Sequence, residues 1–524
     1  MRRLGLAGLA LVVLAVVYVA AWRVGPTTPK PAVAPSAVNA TVTAVTRSCP
    51  PPAPNTGSAH IAMLAMPATT AAKTGQAPTG SVALSAVPAA AVPAAAAPAK
   101  PASTGHSSGK KPTKTSTKTS SKPAASSTAQ AAPPVTVSVP GTQATVAAPQ
   151  ADSFGGTALA ATGQMADGFE AEEATSSGMG TVSCTHPSSD VWFVGTGTGA
   201  GAADVRLYLM NTGDLAASVD LTILTDSGLQ NATGSAITVA PHQFVVQDIA
   251  PFIHGSQALA LHVQTTSGQV AASVWEGDSS GGSGGTWLPE AAAPSTSLVI
   301  PGLTVASSSA RLFISVPGAN DARVTVVAFT AQGRFPQFGN APADAPAGAT
   351  TSFPLSSLGA SAAGLELISN VPITASVLVP GQGIGSFTAA SAPVTEQGVV
   401  AGNPATAGLT VGLVLTAPAG AAQADIDVVP SGAGASAGSG TPQSVTVRAG
   451  HTVAVAVPRP SGSRQPFAIV ITPLAGSGPL YAARVVTTGT GGLSASVLSL
   501  LPVPSALTAI TLPPTQNSYS AILP

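Results

Sequence analysis

Past about residue 180 the chain alternates apolar and polar positions in short runs. Val205, Leu207 and Leu209 share one parity, with Arg206, Tyr208 and Met210 between them. After the turn-forming stretch Asn211-Thr212-Gly213-Asp214, Val219, Leu221 and Ile223 alternate with Asp220 and Thr222. A period of two over successive segments, punctuated by Gly and Pro, predicts antiparallel strands with one buried face. The expected class is all-β.

The pattern repeats. A first copy opens at Val205 and closes with Val270–Val274. A second runs from Arg311–Val316 to Ile373–Val377, and a third from Val411–Leu415 to Tyr481–Val485. The closing valines Val274, Val377 and Val485 lie 103 and 108 residues apart. A period near 100 with about seven strands matches an immunoglobulin-like sandwich and exceeds solenoid repeats. Three tandem β-sandwiches are therefore expected, at 135–295, 296–400 and 401–510. Early strands in 42–66 would elaborate the first.

One segment stands apart. Met1-Arg2-Arg3 precedes an uncharged, largely apolar run, Leu4–Trp22, of 19 residues. That is just long enough to cross a hydrocarbon core of about 30 Å as a helix. Trp22 followed by Arg23 resembles an interfacial boundary. A cleavable signal prefers a shorter apolar region, although Val19-Ala20-Ala21 offers small residues for cleavage. The expectation is an anchor over 4–24 on a single-pass membrane protein with its bulk outside the cytoplasm; the alternative is a secreted chain.

Composition sharpens the division. The formal charge is zero, yet residues 1–151 hold twelve Lys or Arg and no acid, while residues 152–524 hold eight Arg, no Lys and all twenty acids. Residues 67–134 are chiefly Ala, Pro, Ser, Thr and Lys. Such a stretch cannot bury enough apolar surface to offset its ordering entropy, so a disordered tether or inserted loop is expected there. Lys110, Lys111, Lys114, Lys118 and Lys122 cluster within it. They read either as solubilising charge or as a contact for anionic lipid or wall polymer. The stretch lacks the interleaved aromatics of a nucleic-acid site.

Cys49 and Cys184 form an even pair outside any metal motif. In an oxidising compartment they read as one disulfide, with two free thiols as the alternative.

Motifs that carry chemistry are weak. Gly277-Asp278-Ser279-Ser280-Gly281-Gly282 resembles a serine-protease nucleophile turn but has an extra Ser, and no His stands in a suitable context. Gly195-Thr196-Gly197-Thr198-Gly199 precedes a strand rather than the helix that a phosphate cradle needs, so a hairpin joining Trp192–Val194 to Val205–Leu207 is expected. His242, His254 and His262 match no zinc spacing, and His262 reads as a surface histidine. Asp425 and Asp427 read as a solvated face. No catalytic residue, metal or cofactor is called. Trp192 is expected beside the disulfide. Trp287 fits either a plug at a domain junction or a sugar-stacking platform, with Tyr208 as a second stacking candidate.

Cys184-Thr185-His186-Pro187 with Asp190–Gly195, Arg47–Pro52 and Gly285-Thr286-Trp287-Leu288-Pro289 resemble signatures of an uncharacterised actinobacterial family of exported, N-terminally anchored proteins. The likeness covers roughly 44–66 and 163–500. It implies envelope placement, pairing of Cys49 with Cys184 and no known activity. The expected function is a non-enzymatic envelope protein acting as an interaction or scaffolding module for envelope proteins; the alternative is an accessory factor that binds cell-wall glycans.

Overall fold

The computed structural model describes residues 38–53, 58–66, 80–89, 136–148, 156–175, 177–230, 236–278, 284–304, 310–339, 341–355, 362–381, 383–432, 441–460, 465–488, 496–506 and 509–512. The apolar run, the five lysines and most of the low-complexity stretch lie outside them. Among the described residues no helix is long and apolar enough to cross a membrane. The regular structure of the described residues is strand, apart from single turns of 3-10 helix. A short unit pairs Val38–Thr41 antiparallel with Ala509–Leu512. The compact body is Val42–Thr508.

Within that body one topology occurs four times. In each copy the first, sixth, third and fourth strands neighbour one another in that order on one sheet. The fifth, second, seventh and eighth form the other. The copy that the alternation at Val205 announces comprises Asp190–Thr196, Ala202–Asn211, Ala217–Thr225, the short pair Gly228–Gln230 and Ile237–Val239, Gln243–Asp248, Ala258–Ser267, Ala271–Asp278 and Gly285–Leu288. The same path runs from Ser295 to Ala389 and from Gly398 to Pro502. The immunoglobulin sandwich shares the pairings of second with fifth and third with sixth strands. Here the first and seventh strands sit on the opposite sheets. Strands Asp190–Thr196 and Ala202–Asn211 therefore face each other across the core, so the Gly195–Gly199 segment is a sheet-to-sheet crossover and not the expected hairpin.

The remaining copy is the N-terminal one. Ala44–Cys49, Thr157–Thr162, Val82–Ala86 and Thr136–Val137 make one sheet; Ala144–Ala147, Ala59–Leu64, Glu170–Thr175 and Val182–Ser183 make the other. Residues 136–183 thus pair with the early strands rather than with residues 190–288. Ile61, Met63, Leu159, Met165 and Phe169 fill a core of their own. The low-complexity stretch is interrupted by strand Val82–Ala86, an exception to its expected disorder. Val82 is fully buried there, and this alternating Val-Ala-Leu-Ser-Ala segment has the apolar side chains that its surroundings lack.

In the third copy the sixth and seventh strands fuse into one, Ala362–Val379. Its first half pairs with Val324–Phe329 on one sheet and its second half with Arg311–Ser315 on the other.

The four sandwiches close into a ring. At three seams the seventh strand of one sandwich rests on the first strand of its neighbour. Ser376 donates to the Val194 carbonyl at 2.7 Å. Ala483 packs so tightly on Gly302 that a Cβ there would lie 2.3 Å from its methyl carbon. The Gly402 amide donates to Glu172 at 2.9 Å, which joins the first sandwich to the last. The remaining seam, first to second, is an apolar cluster that includes Ala53, Val87, Tyr208, Trp275 and Trp287. Leu64 with Val399, Val429 and Val470 supports the closing seam.

A chamber at the centre of the ring as the candidate functional site

All four sandwiches contribute to one cavity of about 530 Å³. Its wall is formed around equivalent places in the repeat, at or just beyond the eighth strands: Val182 and Ser183, Trp287 and Leu288, Ala390, and Leu501. Each eighth strand is the edge of its sheet, so four edges meet around the space. The surface is chiefly apolar, and the alanines Ala291, Ala292, Ala293, Ala390 and Ala392 give it its room.

Charged groups enter from the first sandwich and from the segments just beyond the first and second. Arg47, on the first strand, and Glu170, on the seventh strand of the facing sheet, form a buried two-point pair, with Nη2–Oε1 at 2.6 Å and Nε–Oε2 at 3.2 Å. This geometry neutralises both charges. Glu290 is solvent-accessible yet crowded by protein; burial pushes its carboxyl up to about 7, with Arg47 pulling it back. Burial and the charge of Arg47 both lower the pKa of His186. Thr181, Thr185, Ser391 and Trp287 also line the chamber, but their hydroxyls and indole nitrogen are themselves buried away from it and make no hydrogen bond among the described residues.

The disulfide exists. Cys49 and Cys184 are joined, with S–S 1.96 Å and Cα–Cα 4.3 Å, across a sequence separation of 135. It links the end of the first strand to the chain just beyond the eighth. Ser48 and Thr185 exchange backbone hydrogen bonds of 2.8 and 3.0 Å beside it. Cys184 also lines the chamber.

Trp287 and Tyr208, paired in the sequence reading as stacking candidates, are brought together, with ring centroids 5.4 Å apart. Both are buried, and Trp287 also meets Trp275 edge-on at 5.2 Å. Trp287 reaches the chamber, whereas Tyr208 is not among its lining residues. Trp192 stacks on His262 at 4.0 Å with the rings nearly parallel. His262, expected at the surface, is thereby half-buried, with Nε2 3.3 Å from Asp190. His242 pairs instead with Asp214, and His254 is exposed. Among the described residues no three His, Cys, Asp or Glu are grouped to hold a metal.

A set of buried charges escaped the sequence reading. In Glu170–Thr175, the seventh strand of the first sandwich, every residue is buried. Glu172 faces Arg484 at 3.8 Å. Arg484, wholly buried, also donates to the Gly402 carbonyl at 3.2 Å and to the Ser499 hydroxyl at 3.4 Å. Burial raises the Glu172 pKa against the pull of Arg484, and lowers that of Arg484 against the pull of Glu172. Burial alone lifts Glu173 to about 8. Glu276, on the seventh strand of the second sandwich, is lifted to about 8 by burial while it accepts hydrogen bonds from the Thr196 amide and hydroxyl at 2.9 and 2.6 Å. The only hint in the sequence was an acidic run, Glu170-Ala171-Glu172-Glu173, directly after Phe169.

A family profile matches residues 135–458, more than half of the chain. The chain belongs to DUF5719, a family of unknown function. The DUF5719 region opens inside the first sandwich and ends on the fifth strand of the last. It includes the chamber residues from Thr181 to Ala392, while Arg47 and Leu501 fall outside it. No curated protein matches the chain.

Proposed function

We propose that this DUF5719 member is a non-enzymatic, membrane-anchored envelope protein whose ring of sandwiches serves as an extracytoplasmic interaction module, with the chamber receiving an apolar group of its ligand or partner. The chamber carries this reading. A concave, largely apolar space of about 530 Å³ with a few polar groups has the size and character of a ligand pocket. The Leu4–Trp22 run supports anchoring, and the disulfide suits an oxidising compartment. Trp287 on the chamber wall favours the second reading, a glycan-binding accessory factor; Tyr208, sealed in the seam, adds no platform to it.

The test is co-sedimentation of the full chain, in nanodiscs, with isolated wall, wall glycan and anionic vesicles at rising salt. Ala292→Trp, which fills the chamber, is run beside it. Saturable, salt-resistant binding that Ala292→Trp removes supports the reading. Binding that salt abolishes and Ala292→Trp leaves intact assigns contact to surface charge and overturns it. Turnover of wall glycan by the pure protein overturns the non-enzymatic part. Loss of glycan binding alone in Trp287→Ala favours the second reading.

A further inference from the structure

We infer that the central chamber is a binding site for a small, chiefly apolar amine, its ammonium group held at the Glu290 end and its apolar body against the alanine-lined wall. This rests on the chamber being a ligand site and names the chemistry of what it takes.

Four lining groups bear on charge: Arg47, Glu170, His186 and Glu290. Arg47 and Glu170 are spent on each other through their two contacts. His186 is held toward its neutral form by burial and by Arg47. Among the described residues Glu290 makes no direct ion pair, and Arg47, held by Glu170, acts on it only through space, so the charge left without a contact partner in the wall is a carboxylate. An anionic ligand would be repelled by it and would find Arg47 already engaged.

The aromatic group in the wall favours the same class of ligand. The face of an indole also attracts a cation, and Trp287 is in the wall. The side chains of Leu288, Ala292, Ala390 and Leu501 in the wall are apolar, so the rest of the ligand has to be chiefly apolar to gain from entering.

The test is calorimetric titration of the full chain, in zwitterionic nanodiscs, with hexylamine, hexanol and hexanoate at pH 8, empty nanodiscs being subtracted. Saturable binding of hexylamine, at least tenfold tighter than hexanol, with hexanoate weakest, is expected. Glu290→Gln should bring hexylamine down to the level of hexanol without weakening hexanol. Ala292→Trp should abolish binding of all three; Ala392→Phe, at an exposed wall position, is the second filling variant should Ala292→Trp fail to fold. Hexylamine binding no tighter than hexanol, or unchanged by Glu290→Gln, overturns the amine assignment while leaving the chamber a ligand site. Absence of saturable hexylamine binding also overturns it. If none of the three probes binds and Ala292→Trp leaves co-sedimentation unchanged, the chamber reading falls as well.

Discussion

Replacing Arg484 by Met should loosen the seam that closes the ring while leaving the four cores folded. Arg484 is completely buried and stands 3.8 Å from Glu172, itself almost completely buried. The substitution keeps most of the side-chain volume but removes the cation and its hydrogen bonds to Gly402 and Ser499. Glu172 would keep the Gly402 amide, and no cation would remain to offset its desolvation. Stripping one partner from a buried ion pair typically costs about 3–5 kcal/mol. At about 1.4 kcal/mol per tenfold change, local opening of the seam should become about 10² to 4 × 10³ times more frequent. Hydrogen exchange at the Gly402 amide and along Glu170–Thr175 reads this directly. The double variant Glu172→Gln/Arg484→Met should regain much of the lost protection, because no buried charge is then left alone. Lowering the pH should partly rescue the single variant by protonating Glu172. Unchanged protection at Gly402 in Arg484→Met would refute the reasoning, as would a double variant no better protected than the single one.

Other predictions follow from the same physics. Glu173 and Glu276 carry folded-state pKa values of about 8, against 4.5 in the unfolded chain. Both are raised, so the folded state holds protons that the unfolded state has already released. Stability should therefore fall as pH rises from 4.5 to 8, by up to about 1.4 kcal/mol per unit for each group. Glu173→Gln should flatten that slope in urea titrations at stepped pH. Reduction, or the pair Cys49→Ser/Cys184→Ser, reopens a loop spanning 135 residues. The chain-entropy model puts the loss at about 4–5 kcal/mol, to be seen as early proteolysis of the first sandwich. Gly302→Ala should open the seam between the third and fourth sandwiches. A Cβ there lies 2.3 Å from the Ala483 methyl carbon, at a φ of +91° that disfavours a side chain, and the cost should be about 1–3 kcal/mol by thermal unfolding. If the chamber takes an amine at Glu290, hexylamine affinity should fall up to about tenfold per pH unit below about 7, as that carboxylate takes up its proton. Arg47, Glu170 and His186 face the same space, so a profile that persists in Glu290→Gln would move the titration to His186.

The strands were legible because their alternation is strong and a half-buried sheet demands it. The closing valines Val274, Val377 and Val485 all fall on seventh strands. The fourth copy was hidden for two physical reasons. Its seventh strand carries Glu-Ala-Glu-Glu-Ala-Thr where the others carry valines, because that strand meets Arg47 and Arg484 across the fold. Its fourth strand is also separated from its third by the low-complexity insertion, which breaks the period near 100 residues. Cys49 and Cys184 were readable as a pair. The chamber was not, because it is built at seams between sandwiches, and no local pattern says which edges will meet. Trp287 was half legible: its rarity marked it as important, and only the seam shows it serving as both plug and wall. His262 was misplaced because the exposed parity of its strand is covered by the ring of Trp192.

The ring's closing seam also sets an order of assembly. Glu172 is synthesised long before Arg484 and Gly402, which follow it by 312 and 230 residues. Until the last sandwich emerges, the first therefore shows an unpartnered acid and the apolar side chain of Leu64 on what will become a buried face. The chamber has no fourth wall until then, so ligand occupancy is possible only for a finished chain. In a newly made protein, occupancy of the chamber would report that the ring has closed.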